Sequence, residues 1–471
     1  MSEFPSEVRD ADGNIHYLQA KPLGQGGQGV VLRTRSAHIA VKLIGAMQIG
    51  APNQAPDPKM QEALRRRIED VRILPVSGLN LAQPISMLMD HVGYTMRLLN
   101  GMVPMRSLIA DPGEKMAGAF YQRTGGVGRR IKLLANTATL LARLHAVPLV
   151  YADISPNNVF ISETSDANEV WLIDLDNLDY QCLNAPSVYT PSFGAPEVVT
   201  GKAGVSTLSD CYSFAGFAFY VLAQVHPFIG DYVENGDWGD DDDVDREQLA
   251  FQGDVPWIED PDDNSNWTKN GIPRQIVLSA PVRDLFERSF GEGRKDRTRR
   301  PNMTEWAEVL CRAADRIVSC KDCGSTFDVT SANCPFCASN SCPTFIHMQV
   351  NRWDPDIDDS DGSTVSTRPT WHKIIDVTHD SVVEISRHVV EPVLAGSDDS
   401  AVMRIGVLRS GITVEQLAGH EIHIVRDGRL VKITGKTKLP MPIHGHEVYL
   451  HFGKLNQPHR MAVLRYHESE T

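Results

Sequence analysis

Several polar side chains of this chain stand within or at the ends of apolar runs, where each is costly unless something meets it. Asp153 and Asn158 lie five residues apart in Tyr151-Ala152-Asp153-Ile154-Ser155-Pro156-Asn157-Asn158-Val159-Phe160, between apolar flanks that read as short strands. Asp174 closes the apolar strand Val170-Trp171-Leu172-Ile173, and an acid there needs a partner, for which magnesium is the natural one. Lys42 sits inside Ile39-Ala40-Val41-Lys42-Leu43-Ile44 and calls for an anion. Upstream, Leu23-Gly24-Gln25-Gly26-Gly27-Gln28-Gly29 offers backbone amides that can close on phosphate oxygens with no Cβ in the way. Far downstream, Cys320-x-x-Cys323, a gap of ten residues and Cys334-x-x-Cys337 can set four thiolates on one tetrahedral ion. Such a set suits structural zinc and leaves no open position to activate water.

These groups need elements that carry them to one place. A dinucleotide-binding turn would open a helix after its last glycine, whereas Val30-Val31-Leu32 continues as a strand. A turn at Ser36-Ala37-His38 then returns the chain through the strand bearing Lys42. A Pro-rich loop, residues 50–58, precedes a helix over Met60–Leu74 that Pro75 ends. Glu62 and Glu69 on this helix are two acids that could pair with Lys42; seven residues apart, they share a phase that does not separate them. Ile85–Met89 and Gly93–Leu99 read as a strand pair, and the helical spacing of Ile131–His145 leads into the Asp153 loop.

Length and composition bound the rest. A chain of 471 residues is too long for one core, and two or three domains are expected. The polar, acidic start Met1-Ser2-Glu3-Phe4 does not look like a secretory signal. The longest apolar run, Phe214–Val225, is too short to span a bilayer and reads as a buried helix. A soluble, cytoplasmic protein without membrane contact is the expectation. The net charge of -14 is concentrated in Asp231–Asp263, with fourteen acids and one Arg; this stretch reads as a solvated or partly disordered insertion, or a docking strip for a basic partner. No sizeable basic run is present, so duplex nucleic acid is not an expected partner. Of eight cysteines four are clustered, which points to a metal site in a reducing compartment.

Taken in order, the segments over residues 17–315 resemble the protein-kinase superfamily. The Gly-rich hairpin and A-V-K strand come first; Asp153 and Asn158 match the H-R-D-x-x-x-x-N loop, with Tyr151 and Ala152 in place of His and Arg. Asp174-Leu175-Asp176 resembles D-F-G, with Asp176 where glycine is usual; it could restrict the flip glycine permits, or add a carboxylate near the metal. Thr190 and Ala195-Pro196-Glu197 resemble the activation segment, Ser209-Asp210 the S-D motif whose acid clamps the catalytic loop, and Arg300-Pro301 the arginine that pairs with Glu197.

The resemblance implies an α+β, bilobal protein-kinase-like fold that uses ATP with Mg2+ or Mn2+. Leu23, Gly24, Gln25, Gly26, Gly27, Gln28, Gly29, Val31, Ala40 and Lys42 would hold the nucleotide, with Phe160 on the adenine. Asn158 and Asp174 would hold the metal, and Asp153 would take up the acceptor's hydroxyl proton with Thr190 beside it. Of the two acids, Glu69 is preferred for Lys42, because Ile73 four residues later suits an apolar spine. Ser155, where Ser/Thr kinases usually carry Lys, keeps a small-molecule phosphotransferase open. A pseudokinase scaffold is a further alternative, and a protein Ser/Thr kinase is the preferred reading.

The remainder divides into a zinc ribbon over 318–343, with the gap between its knuckles forming the hairpin, and an all-β sandwich or barrel over 344–471. The latter rests on short alternating runs such as Phe345–Val350, Val402–Leu408 and Met461–Tyr466. The order of kinase then zinc ribbon is similar to that of kinases encoded beside a phosphatase and a von Willebrand A-type protein in tellurite-resistance-like neighbourhoods. On that architecture those two proteins, besides a protein substrate, are the implied partners.

Overall fold

The computed structural model describes residues 4–467 apart from 27–28, 45–56, 112, 115–116, 183–184, 186–187, 237–244, 338–342, 358–368, 378–380, 393–399, 418, 427–428 and 455. Gly27 and Gln28 therefore lie outside the described residues, as does the centre of the acidic stretch.

The chain opens with a six-stranded antiparallel sheet. Its strands are β1 (Glu7–Arg9), β2 (Ile15–Gly26), β3 (Gly29–Thr34), β4 (Ile39–Ile44), β5 (Ser86–Met87) and β6 (Gly93–Arg97), in the order β1-β2-β3-β4-β6-β5. With β3 on one side and β6 on the other, β4 is apolar almost throughout, and its Lys42 is 5% exposed. Helix α1 (Pro58–Arg72) begins where the Asp57 carboxylate caps Lys59 N–H and Pro58 occupies the first turn. It ends where Gln83 Nε2 donates to the carbonyls of Val71 and Arg72. Leu64 and Ile68 pack against Ile44 and Tyr94 of the sheet.

After β7 (Met102–Pro104) the chain becomes mainly helical, with α2 (Ala117–Arg123) and α3 (Gly126–Ala146). Four short strands follow: β8 (Leu149–Val150), β9 (Val159–Ser162), β10 (Val170–Leu172) and β11 (Asp179–Tyr180). They form the small sheets β10-β9-β7 and β11-β8, which frame the Asp153 and Asp174 loops. Then come α4 (Pro196–Val199), α5 (Thr207–Ala223), α6 (Asp231–Asn235), α7 (Arg246–Gln252), α8 (Arg274–Val277), α9 (Ala280–Phe290), α10 (Glu292–Lys295) and α11 (Met303–Ala314). An aromatic cluster lies within the largely aliphatic core of this body: Phe214, Phe219, Phe286, Phe290 and Trp306 meet mostly edge to face at 5.0–6.1 Å between ring centres.

The acidic stretch is not simply a solvated insertion. Its described part forms α6 and α7, and Ala250, Val255, Trp257 and Ile258 are buried in the main core. Trp257 meets the edge of Phe219 at 5.9 Å. Acids and anchors alternate along the chain, so the charge count conceals the few apolar residues that bury it.

The four cysteines follow α11. Strands β12 (Ile317–Ser319) and β13 (Thr326–Asp328) pair across the first knuckle, so the hairpin encloses Cys320–Cys323 rather than lying in the gap before Cys334. The remainder holds β14 (Phe345–Trp353), β15 (Pro369–Asp376), β16 (Val382–Ser386), helix α12 (Arg387–Val390), β17 (Ala401–Leu408), β18 (Gly411–Gln416), β19 (His423–Arg426), β20 (Arg429–Lys432), β21 (Lys436–Leu439), β22 (Val448–His451) and β23 (His459–His467). They make two sheets, β15-β14-β23-β22-β19-β20 and β16-β17-β18-β21, whose inward residues share one core.

Neither tail piece stands apart. Thr326 Oγ1 accepts Gly128 N–H at 2.9 Å, and a Cβ on Gly126 or Gly128 would come within 2.8 or 3.1 Å of that oxygen. Phe336 stacks on Tyr121 of α2. At the end of α11, Asp315 is buried with Oδ1 against Lys373 Nζ at 2.5 Å and Oδ2 accepting Trp371 Nε1–H at 2.8 Å, both from β15.

Candidate active site

The loop between β8 and β9 is held from below by one carboxylate. Ser206 caps α5 in a reciprocal capping box, which sets Asp210 in the first turns. Its Oδ2 accepts Tyr151 N–H at 2.8 Å and its Oδ1 accepts Ala152 N–H at 2.9 Å. Ala152 is thereby held at φ 71°, in the left-handed region where a side chain is disfavoured. Tyr151, fully buried, donates its hydroxyl to the Ile173 carbonyl. Ile173 N–H in turn donates to Asn158 O at 3.0 Å, so the Asp153 loop and the Asp174 strand end are tied together.

Asp153 uses its two oxygens differently. Oδ1 accepts the Thr190 hydroxyl, whereas Oδ2 accepts Asn158 Nδ2 at 2.9 Å. Asn158 Nδ2 also donates to the Asp153 carbonyl at 3.0 Å. Burial raises the pKa of Asp153; the Thr190 and Asn158 bonds oppose this, the Asp174 charge adds to it, and the net shift is upward. Ser155 is buried and its carbonyl accepts Asn158 N–H at 3.1 Å.

Lys42 meets two carboxylates, Asp174 Oδ1 and Asp176 Oδ2, each at 2.5 Å. Burial works against its charge, but Asp176 and Asp174 outweigh it and leave the ammonium above its ordinary pKa. Asp176 Oδ1 accepts the buried Tyr94 hydroxyl at 2.9 Å, and Arg67 Nε donates to the Asp176 carbonyl at 3.0 Å. Glu69 is not the partner of Lys42: it is half-exposed and bonds Arg72 at 2.6 Å. Glu62 likewise pairs with Arg66 at 3.0 Å. The reason is helical phase. The stripe Leu64, Ile68, Val71 faces inward, and at about 100° per residue both acids lie roughly 130–155° from its centre, with Arg67 within about 70°. Ile73, read as a spine residue, is 66% exposed at the helix end. The inward stripe is present in the sequence and excludes both acids; Arg67, Tyr94 and Tyr151 carry no comparable signal.

The glycines differ among themselves. A Cβ on Gly24 or Gly26 would meet nothing within 4 Å, so that side of the hairpin is open. A Cβ on Gly29 would lie 2.2 Å from Leu43 O, which makes glycine there a requirement of strand packing. Leu23 and Gln25 on β2 are exposed, Val31 is half-buried opposite Lys42, and Ala40 is buried on β4. Phe160, half-buried on β9, pairs with Pro104 and Trp171.

Beyond Thr190, Arg300 makes a two-pronged pair with Glu197 at 2.8 Å on each oxygen. His226, held neutral with its pKa near 4 by burial, donates Nε2–H to Ser192 O at 2.9 Å.

The donor sets suit the ions expected. Both amide hydrogens of Asn158 go to Asp153, which leaves its carboxamide oxygen, with Asp174, as hard oxygen donors of the kind magnesium takes. The Sγ atoms of Cys320, Cys323, Cys334 and Cys337 lie within 4.8 Å of one another, with separations of 3.7 Å and 3.6 Å across two of the edges. A tetrahedral zinc with bonds of about 2.3 Å requires edges of about 3.8 Å. Cys342 lies outside the described residues. Among the described residues no helix is long and apolar enough to cross a membrane.

Residues 117–184, which include α3, Asp153, Asn158, Asp174 and Asp176, match the lipopolysaccharide kinase (Kdo/WaaP) family. The serine/threonine-protein kinase pkn2 of Myxococcus xanthus is 26% identical over 236 residues, 48% of this chain and 26% of that protein. The serine/threonine-protein kinase dkf-2 of Caenorhabditis briggsae is 24% identical over 228 residues, covering 46% and 18%. CBL-interacting protein kinase 22 of Oryza sativa subsp. japonica is 26% identical over 231 residues, covering 45% and 49%. The matched part thus spans less than half the length of each of these relatives.

Proposed function

We infer from similarity to two kinase groups that this is a kinase-like protein with phosphotransfer as its general chemistry. We propose more narrowly that it transfers the γ-phosphoryl group of ATP, with a divalent cation, to Ser or Thr hydroxyls of a protein. In this reading the six-stranded sheet and the helical body are the two lobes of a kinase fold. The observation that carries it is the Thr190 hydroxyl donating to Asp153 Oδ1, a carboxylate with a raised pKa on a loop braced by Asp210. An acceptor hydroxyl beside that oxygen would lose its proton to Asp153 as it attacks phosphorus.

Lys42 and the open side of the glycine hairpin would bind the phosphates, and Asn158 with Asp174 would hold the cation. The cation supplies charge neutralisation of the transferring group; the chain's own residues position the nucleophile and the nucleotide. The zinc would hold the Cys320–Cys337 segment and take no part in the reaction. A signalling or stress role, the phosphatase and von Willebrand A-type partners, and a cytoplasmic location belong to the same proposal.

A second reading, phosphorylation of a sugar or other small acceptor, draws on the Kdo/WaaP match. That match ends before Thr190 and the Glu197–Arg300 brace, which favour an extended acceptor segment. Incubation with labelled ATP and Mg2+ beside either generic proteins or lipopolysaccharide separates the two. Label in protein supports the first reading, label in lipopolysaccharide alone the second, and no transfer to either overturns both in favour of a non-catalytic scaffold.

A further inference from the structure

We propose that Asp176 is the positioning residue that holds Lys42, in place of an acid on α1, and that α1 is instead tied to the site through Arg67. This rests on the phosphotransfer reading above. The two oxygens of Asp176 each have a protein donor: Lys42 Nζ on Oδ2 at 2.5 Å and the Tyr94 hydroxyl on Oδ1 at 2.9 Å. Its side chain is 16% exposed, against 28% for Asp174. Asp176 is therefore committed to the protein, and Asp174 is the more open carboxylate. Were a divalent cation to take Asp174, Lys42 would keep Asp176 as its counter-charge, and the amine would stay beside Asp176 rather than follow the metal.

The same short segment grips the helix. Arg67 donates Nε–H to the Asp176 carbonyl at 3.0 Å, and its Nη1 lies 2.5 Å from Asp179 Oδ2. Helix and lysine are thus both anchored to residues 176–179, and the helix contributes a cation where an acid was expected. A glycine at 176 could supply neither the carboxylate nor the restraint on the loop.

The test uses the full chain with Asp176→Asn, Asp174→Asn, Glu62→Gln and Glu69→Gln. Asp176→Asn is expected to raise KM for ATP tenfold or more at a Mg2+ requirement unchanged within twofold. Asp174→Asn is expected to shift the Mg2+ requirement, and the two glutamate variants to stay within twofold of wild type throughout. A Mg2+ shift in Asp176→Asn as large as that of Asp174→Asn would make Asp176 a metal ligand and overturn the proposal. So would a loss in Glu69→Gln equal to that in Asp176→Asn.

A readout independent of catalysis is a double-mutant cycle on urea unfolding. Lys42→Met and Asp176→Asn are expected to be non-additive, and Lys42→Met and Glu69→Gln additive. Additivity of the first pair overturns the proposal even in an active enzyme. Non-additivity upholds the pair even where no acceptor is phosphorylated, which would count against the functional reading alone. Should Asp176→Asn not fold, Tyr94→Phe removes the brace on Oδ1 and is expected to raise KM in the same direction by a smaller factor; an unchanged KM counts against the proposal.

Discussion

Asp153 accepts a hydroxyl on one oxygen and an amide on the other, and the proposed function gives it a role in transfer rather than in nucleotide binding. Asp153→Asn should keep nucleotide affinity within a few-fold while transfer falls by about 100- to 10,000-fold, the range for a positioned acid–base group. Equilibrium binding beside single-turnover transfer measures both. Because the pKa of Asp153 is raised by burial, and the proposed reaction needs its unprotonated form, the rate should fall as pH drops through a value above that of an ordinary carboxylate. A pH profile of kcat/KM whose acid limb is unmoved by Asp153→Glu would count against this assignment.

Two elements carry their own tests. The segment around Thr190 approaches a loop whose position 152 is alanine, so a phosphate on Ser187 (which lies outside the described residues), Tyr189, Thr190 or Ser192 has one fewer cation to pair with. Thr190 itself already donates to Asp153, and a dianion at that site would set like charges together. Phosphatase treatment should therefore leave the initial transfer rate within a few-fold; a tenfold drop reversed by rephosphorylation would overturn this. The cysteine ribbon behaves differently from a detachable module, because Thr326 sits in the notch left by Gly126 and Gly128 and Phe336 covers Tyr121. Structural zinc supplies about 10–16 kcal/mol of apparent binding energy in small peptides. Chelation or Cys334→Ser should expose residues 317–337 to protease and also lower the melting temperature of the helical body. Loss of the ribbon with an unchanged melting temperature would show that the notch contributes nothing.

At the scale of the whole molecule, Asp315 joins the end of α11 to the terminal sheets through Lys373, Trp371 and His388. Burial acts to raise its pKa, but Lys373 and His388 outweigh this and hold the group at about 2. A folded pKa below the unfolded value of 3.8 contributes stability that is fully present above about pH 4 and lost as pH falls from 4 toward 2. The size is roughly 2 kcal/mol at neutral pH. Asp315→Asn should be destabilised at pH 7, where it leaves the half-buried Lys373 without its counter-charge, and the gap to wild type should narrow between pH 4 and 2. A gap that stays constant over that window would mean that Asp315 does not couple the two parts by charge.

Short-range chemistry is legible in the amino-acid sequence itself. The Asp153–Asn158 spacing, the paired Cys-x-x-Cys knuckles and the Gly-strand-turn-strand order each depend on residues a few positions apart, where chain geometry leaves little choice. The same holds for β14, β17 and β23, whose alternation marks which side meets a core. What only the tertiary structure decided are meetings across long separations. Lys42 reaches acids 132 and 134 residues away, whereas proximity along the chain favours the nearest helix. Trp257 is in the core because Phe219 and Phe290 lie opposite it, which an acidic composition could not convey. Gly128 is explained by a threonine 198 residues later. In each case the deciding energy is burial or charge pairing between distant segments, and the local pattern of either segment is compatible with several partners.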